Sequence, residues 1–192
     1  NDIVQQRKDQ LPEGTANYFM INVTDAQKDA LQSHFADNDV QSDKLFPVTR
    51  GRFAKINGDV LRTELTKEES DNTAERRSGM GREANLTWDL ELQMANEVVA
   101  GEWHGNWTPE TSTLAKDIYP ISLEERVAQR MRIEMGDILT FNIGSEEVKT
   151  QVTSIRTVNW QTMQPNFFFV LHPAAMTKFT PTYITSFFLP EE

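Results

Sequence analysis

The pattern of apolar residues begins with a strand signal that is followed at once by a helix signal. Residues 17–23 are largely apolar on both faces, which predicts a buried strand. Thr24 stands three residues before Gln27, a capping-box spacing that predicts the start of a helix. The apolar stripe of this helix would consist of Ala26, Ala30, Leu31 and Phe35.

A second extended run and a turn follow. The run extends from Leu45 to Ile56, and Gly51 within it predicts a bulge or a close approach of the backbone to a neighbour. Asn57-Gly58 is a strong signal for a two-residue turn, so Val60-Leu61 is predicted to fold back as a hairpin partner. From Glu64 to Glu83 the sequence is polar and charged without sustained periodicity, which predicts a surface loop and a subdomain boundary.

The second half of the chain is predicted to be mostly sheet with one helix. Ser122 and Glu125 have capping-box spacing, so a helix is predicted to begin at Ser122 and to end at Gly136-Asp137. Residues 138–143 and 148–158 alternate around a turn, which predicts an antiparallel hairpin. Further strands are predicted at 85–88, 98–101, 167–171 and 183–189.

Composition then excludes some classes of partner. The chain has 192 residues, of which 38% are hydrophobic and 25% are charged, so it can form the core of one domain or of two small subdomains. Its formal net charge of −10 repels phosphate groups, so nucleic acid is not an expected partner. The longest strictly apolar stretch, residues 167–171, is shorter than the roughly 18 residues that span a bilayer. Because the chain starts at Asn1, we interpret it as a fragment of a longer protein.

The sequence contains no recognisable catalytic or metal-binding pattern. It has no cysteine, no nucleophile elbow, no phosphate-binding loop and no His-Glu-x-x-His motif. Its three histidines, His34, His104 and His172, lie in separate segments, which disfavours a shared metal site. Glu124-Glu125 lies in the first turn of the predicted helix, where the helix dipole stabilises negative charge. We therefore expect no catalytic residue, no cofactor and no metal.

Aromatic residues are the remaining candidates for a binding surface. The four tryptophans, Trp88, Trp103, Trp107 and Trp160, together with the phenylalanines form either a hydrophobic groove or part of the core. The candidate partner contact consists of Trp160, Pro165, Asn166 and Phe167, where a turn that contains Trp leads into an aromatic strand. Pro165 and Asn166 restrict the loop and favour a fixed presentation. The alternative is a structural corner of the sheet.

Several segments together resemble the large periplasmic loop of one group of ABC transporter permeases. They occur in the expected order and extend over residues 16–189. The segments are 82–88, 98–103, 121–131 with 135–141, 152–156, 159–160, 164–168 and 182–187. The group is that of the YbbP-like permeases, within the FtsX/LolC/MacB superfamily. Residues 64–81 match no part of the family pattern, and Gln164 stands where the family more usually has Arg.

This resemblance implies an α+β fold with two subdomains. Members of the superfamily build the region from a mixed α/β subdomain, called Porter, into which a β-rich subdomain, called Sabre, is inserted. By this resemblance, residues 1–60 and 181–192 would form the Porter-like subdomain, incomplete at its C-terminal end. Residues 61–180 would form the Sabre-like subdomain.

The resemblance also implies a function. The chain would be a non-catalytic domain at the periplasmic face of the bacterial inner membrane, anchored by flanking membrane helices. It would bind a hydrophobic or lipid-linked substrate, or an envelope partner, and couple this binding to a cytoplasmic ABC ATPase subunit. A periplasmic lysophospholipase or thioesterase, or a lipoprotein, is a further expected partner. Two alternatives stay open: an envelope hydrolase, and a free-standing periplasmic adaptor or solute-binding protein.

Overall fold

Strands predominate in the structure, a computed structural model, which agrees broadly with the predicted α+β class. It describes residues 3–5, 18–38, 41–42, 44–61, 83–161 and 165–188. The chain divides into two compact units, of which the first comprises residues 1–49, 159–166 and 179–192, and the second comprises 50–158 and 167–178. The predicted loop at 64–81 lies outside the described residues. The assignment of Porter-like and Sabre-like subdomains stays a prediction.

The first unit contains an antiparallel sheet. Its strands in the described residues are β1 Ile3–Gln5, β2 Tyr18–Val23, β3 Gln41–Ser42, the beginning of β4 Phe46–Ile56, and β12 Thr182–Phe188. Strand β12 pairs with β2, β3 and β4, and β1 pairs with β2. The strands predicted from residues 17 and 183 onward are thereby confirmed within the described residues.

Helix α1, Asp25–Asp37, begins where the capping box predicts. The Thr24 hydroxyl oxygen accepts a hydrogen bond from Gln27 N at 3.3 Å, and Gln27 Oε1 accepts one from Thr24 N at 3.1 Å. The predicted apolar stripe is confirmed at Phe35, which is buried, whereas the two predicted alanines are exposed. A phenylalanine ring offers far more apolar area than a methyl group, so its burial decides the orientation of the helix.

The second unit contains a closed barrel. Its elements in the described residues, after β4, are β5 Asp59–Val60, β6 Ala84–Trp88, β7 Asn96–Gly101, β8 Ile118–Glu124, α2 Glu125–Met131, β9 Ile138–Ile143, β10 Glu146–Val158 and β11 Phe169–Leu171. Among them, six strands close in the order β4, β6, β11, β8, β10, β9 and back to β4. The barrel is mixed, because β6 with β11 and β8 with β10 are parallel and β9 with β10 is antiparallel.

Three phenylalanine rings pack inside the barrel. Phe53 of β4, Phe141 of β9 and Phe169 of β11 contact one another with ring centroids 5.0 to 5.6 Å apart. Because β9 and β11 are not neighbours in the barrel, the contact between Phe141 and Phe169 crosses its interior. A Cβ atom on Gly51 would lie 3.0 Å from Leu86 Cδ1, which confirms the close approach predicted at this glycine.

Asn57 and Gly58 form the tight turn that the sequence predicts. Both have positive φ, 51° and 84°, as a type I′ hairpin turn requires, and β5 then pairs with β4. The Asn57 side chain also donates to Asp137 Oδ1 at 3.1 Å and accepts from Ile138 N at 2.8 Å. The predicted hairpin of β9 and β10 is likewise confirmed.

The predicted helix start at Ser122 is wrong. Ser122 lies inside β8, which pairs with β10 on one side and with β11 on the other. Because both neighbours satisfy its backbone groups, the strand continues to Glu124 despite the capping-box spacing. Helix α2 begins at Glu125, and the Glu124 carboxylate accepts from Arg126 N at 2.9 Å and from Val127 N at 3.0 Å.

The predicted end of the same helix is also wrong. Helix α2 ends at Met131, and Arg132 adopts a left-handed conformation with φ of 56°. Ile133 N then donates to Ala128 O at 2.8 Å, which closes the last turn before the predicted stop is reached. Met135 and Gly136 instead form a turn, across which Asp137 N donates to Glu134 O at 3.1 Å, and β9 follows.

Strand β7 lies at an edge outside the barrel. It pairs antiparallel with β10, and no other partner strand occurs among the described residues. Ile155 pairs with Ala100 and Arg156 with Val98, so Val99 is the extra residue of a bulge. A bulge interrupts the ladder and makes the edge a poor template for an added strand. Strand β7 ends at Gly101, as predicted.

Candidate functional site

The predicted contact residues belong to different units and differ in exposure. Trp160, Pro165 and Asn166 belong to the first unit, and Phe167 belongs to the second. Trp160 is 38% exposed, Asn166 is half-buried, and Pro165 and Phe167 are buried. The role of these residues as a partner contact stays a prediction, with Trp160 as its exposed member.

A buried arginine holds the Phe167 backbone in the second unit. Arg156 Nη2 donates a hydrogen bond to the Phe167 carbonyl oxygen, and the Arg156 side chain is buried. Burial lowers the pKa of Arg156 to about 10, an effect that the nearby negative charge of Glu124 opposes. Arg156 therefore remains charged at neutral pH. Since Glu124 also caps α2, both buried charges serve the local structure.

Phe168 is an exposed apolar residue that the sequence analysis did not single out. It is 41% exposed, whereas Phe167 and Phe169 on either side are buried. Side chains of an extended segment point alternately to opposite faces. The exposure of Phe168 could therefore have been predicted from the alternation of positions along the aromatic run.

A second exposed apolar feature lies on the loop of residues 89–95, which we call the apolar loop. Leu90 is 50% exposed and Met94 is 72% exposed, and both are carried between β6 and β7 in the second unit. The backbone of this loop is closely packed, because a Cβ atom on Gly105 would lie 2.8 Å from Leu90 O. No periodic pattern marks this loop in the sequence, since its residues lie in neither a helix nor a strand.

Beside the apolar loop lies a cluster of rings, which we call the imidazole corner. It brings together residues from three separate segments of the second unit: Trp103, His104, Trp107, Tyr119 and His172. Trp103 stacks on His104 with centroids 4.1 Å apart, and His104 meets His172 edge-on at 5.5 Å. Trp107 contacts His172 at 4.8 Å and Tyr119 at 6.0 Å.

Hydrogen bonds fasten the apolar loop to this corner. Trp103 Nε1 donates to Leu90 O at 2.8 Å. His104 Nε2 lies 2.8 Å from Asp89 O, and because a carbonyl oxygen only accepts, His104 Nε2 carries the proton. His172 Nδ1 accepts from Ala174 N at 3.0 Å and so caps the short 3-10 turn Pro173–Met176. The two imidazoles thus have defined tautomers.

Burial keeps both imidazoles neutral at neutral pH. Desolvation lowers the pKa of His104 to about 4, partly opposed by its hydrogen bond to the Asp89 backbone. The positive charge of Arg156 and the neighbouring imidazole of His172 lower the pKa of His104 further, and the Asp89 carboxylate raises it. Desolvation also lowers the pKa of His172, partly opposed by the backbone of Trp107.

These side chains are therefore arranged for packing and hydrogen bonding. In the part of the chain that the structure describes, no three histidine, aspartate or glutamate side chains converge to hold a metal ion. Within the same residues, no helix has the length and apolar character needed to cross a bilayer. What the geometry offers for recognition is the exposed apolar surface of Leu90 and Met94 on a fastened loop.

Comparisons with known proteins relate the chain to a transporter. No protein-family model matches it. It is 32% identical over 186 residues to the uncharacterized ABC transporter permease YbbP of Escherichia coli K12, an alignment that covers 97% of this chain and 20% of the relative. The chain thus spans about a fifth of the length of that relative.

One solved structure is also similar. It is a domain of a candidate permease protein from Porphyromonas gingivalis, with a TM-score of 0.42 and 13% sequence identity, and the match covers 90% of this chain and 75% of that chain. The family relationship is carried by the sequence identity with the Escherichia coli protein, which extends over nearly the whole chain. The chain is therefore a domain of an ABC transporter permease related to YbbP.

Proposed function

We propose that this chain is the binding and coupling domain of its permease, at the periplasmic face of the bacterial inner membrane. It binds a hydrophobic or lipid-linked substrate, or an envelope partner, and changes its arrangement as a cytoplasmic ABC ATPase subunit hydrolyses ATP. The relationship to an ABC transporter permease supports the ATPase partner. Coupling requires that the domain prefer different arrangements in the two nucleotide states.

The observation that carries this proposal is the exposure of Leu90 and Met94 on a loop that is held in place. Hydrogen bonds from Trp103 and His104 fix the backbone of Leu90 and Asp89. A loop that is already ordered loses little conformational entropy when it binds. Its apolar side chains therefore suit contact with an acyl chain or with an apolar patch on a partner protein.

The proposed role is non-catalytic. Three buried side chains of the second unit that have acid or base groups are Glu124, His104 and His172, and each makes a hydrogen bond to the backbone. General acid–base catalysis needs such a group within reach of a substrate. Their structural use therefore supports a binding domain over the alternative envelope hydrolase.

The finer assignments of the family are part of the same proposal. Residues 1–60 and 181–192 are the Porter-like subdomain, and residues 61–180 are the Sabre-like subdomain. Trp160, with Pro165, Asn166 and Phe167, is a further contact for a periplasmic lysophospholipase or thioesterase, or for a lipoprotein. The exposure of Trp160 supports that contact.

A fluorescent lysophospholipid that carries a palmitoyl chain tests the binding role. The double variant Leu90→Ser with Met94→Ser removes the exposed apolar surface of the loop. We expect the Kd of the 192-residue chain for the probe to rise about tenfold, because the variant loses roughly 1.4 kcal/mol of apolar contact. The control is Val60→Ser, since Val60 is about as exposed as Met94 and more exposed than Leu90 but lies on the β4–β5 hairpin.

Two outcomes would count against the proposal. Equal loss of probe binding in the double variant and in Val60→Ser would show that the apolar loop is not the contact. Turnover of ester substrates by the chain, abolished by a single carboxylate substitution, would favour the hydrolase instead.

A further inference from the structure

We propose that His104 and His172 form an acid-sensitive latch, which holds the apolar loop closed when both imidazoles are neutral and releases it when they take up protons. The latch is a property of the second unit and stands on the geometry of its buried rings. Its consequence for substrate or partner binding rests on the function proposed above.

The first part of the latch is the cap made by His172. Its Nδ1 accepts a hydrogen bond from Ala174 N at 3.0 Å, so the lone pair of this nitrogen is in use. A proton on Nδ1 converts the acceptor into a donor that faces the donor N–H of Ala174. Protonation therefore breaks the cap of the 3-10 turn Pro173–Met176.

The second part is the bond from His104 to the loop. Because Nε2 donates to Asp89 O, a second proton must go to Nδ1. Nδ1 is buried and has no hydrogen-bond partner within the described residues. A proton there places an unpaired N–H and a positive charge in the interior, which costs more than leaving the neutral ring in place.

The charged groups around the two rings mostly disfavour protonation. Arg156, on β10, and the opposing imidazole both lower the pKa of His104, while the Asp89 carboxylate, from the loop itself, acts in the other direction. Glu124, on β8, raises the pKa of Arg156 and so favours its positive charge. Among the described residues, the other rings that pack against the two imidazoles are the uncharged side chains of Trp103 and Trp107.

Release of the apolar loop exposes the two imidazoles to water and so favours their protonation. Exposed imidazoles have pKa values near 6.5, so the open state binds protons below that pH while the closed state resists them. The population of the open state should rise as pH falls from about 6.5 to about 4, where His104 begins to titrate in the closed state. With two histidines released together, the open population increases at most about a hundredfold per pH unit.

The loop is the element that the latch controls. Asp89 and Leu90 accept hydrogen bonds from His104 and Trp103, which stack on each other. Displacement of His104 therefore also removes the support of Trp103. Residues 89–95 then lose two backbone attachments at once, and Leu90 and Met94 are no longer presented in one arrangement.

The absence of cysteine makes the test direct. A spin label is attached to Met94→Cys, and its mobility is measured from pH 7.5 to pH 3.5 by electron paramagnetic resonance on the 192-residue chain. The control label is placed at Val60→Cys, which is as exposed as Met94 but lies on the β4–β5 hairpin. We expect mobility to increase between about pH 6.5 and 4 at position 94 and to stay constant at position 60.

Non-titrating replacements test the mechanism. His172→Asn keeps an acceptor for Ala174 N, and His104→Gln keeps a donor for Asp89 O. The double variant should remove the mobility change at position 94. Persistence of the same transition in that variant overturns the latch, as does a label at position 94 that stays immobile down to pH 4.

A measurement on the unsubstituted histidines covers the case in which the double variant does not fold. The imidazole C–H resonances of His104 and His172 are followed by NMR over the same pH range, together with the amide resonances of residues 89–95. The latch predicts that the loop amides shift with the two imidazoles. Titration of both rings with unchanged loop amides overturns it, whereas loss of binding function alone with a working latch contradicts only the proposed function.

Discussion

Arg156 of β10 and Glu124 of β8 lie opposite each other in neighbouring parallel strands, and both side chains are buried. Glu124 caps α2, and Arg156 holds the carbonyl oxygen of Phe167. Each side chain therefore has a hydrogen-bonded backbone partner, and Arg156 lies in the favourable field of Glu124, the conditions under which buried charges are tolerated. Removal of either side chain leaves the other buried without the opposite charge nearby.

Arg156→Met should lower the free energy of unfolding by about 3 kcal/mol, because Glu124 loses the nearby positive charge and Phe167 O loses its donor. Urea denaturation monitored by tryptophan fluorescence measures this change. The matched control is Arg52→Met on β4, an exposed position where we expect a change within about 0.5 kcal/mol. Equal effects at the two positions would contradict the structural role of the buried arginine.

A comparison of alanine substitutions at Gly101 and Gly144 distinguishes the cost of a steric clash from the cost of backbone strain. Both have positive φ, 72° and 60°, so alanine is strained at either position. A Cβ atom on Gly101 would collide with Thr153 O and with the Met135 side chain, whereas one on Gly144 would meet nothing within 4 Å. Gly144→Ala should cost about 1 kcal/mol and Gly101→Ala at least about 3 kcal/mol in thermal unfolding. Similar costs would show that β7 can move away from Thr153.

Asn57 combines turn geometry with two side-chain hydrogen bonds, to Asp137 and Ile138. Asn57→Gly keeps the positive φ and loses both bonds, so it should cost about 1 to 2 kcal/mol. Asn57→Ala loses the same bonds and adds strain, which should cost about 1 kcal/mol more. The difference between the two variants in urea denaturation reports the strain alone, and no difference would mean that the turn adopts another conformation.

Trp160 and Phe167 are predicted to respond differently to truncation. Phe167→Ala should lower the free energy of unfolding by about 3 to 5 kcal/mol, because its ring is buried. Trp160→Ala should have a smaller effect, since its ring is 38% exposed. In the full permease, loss of transport in Trp160→Ala with an unchanged melting temperature would support a partner contact at this residue. A large fall in melting temperature instead would favour a structural corner.

Much of the local structure could be predicted because its signals involve residues that are adjacent in the chain. The capping box of Thr24 and Gln27, the Asn57-Gly58 turn and the alternation of β9 and β10 each depend on a few neighbouring residues. At Ser122, by contrast, the local spacing favours a helix, but pairing on both sides extends the strand. Tertiary hydrogen bonding overrides a local preference of about 1 kcal/mol.

Most of the candidate site could not be predicted from the sequence. His104 and His172 lie in separate segments of the sequence, and their spacing in the chain contains no sign that they meet. Their contact arises because β6, β8 and β11 are neighbours in the barrel, which brings the segments that follow or precede these strands together. The exposure of Leu90 and Met94 likewise depends on which neighbours the fold supplies.

By itself, the sequence determined many of the strands, the first helix, the tight turns, the resemblance to a permease loop and the lack of a catalytic motif. These properties follow from composition, from short-range spacing and from ordered similarity. The tertiary structure alone decided the closure of the barrel, the length of β8, the pairing of Arg156 with Glu124 and the imidazole corner. Each of these features depends on contacts between residues that are distant in the chain. The burial of the side chains in those contacts determines which hydrogen bonds they make and whether they are charged.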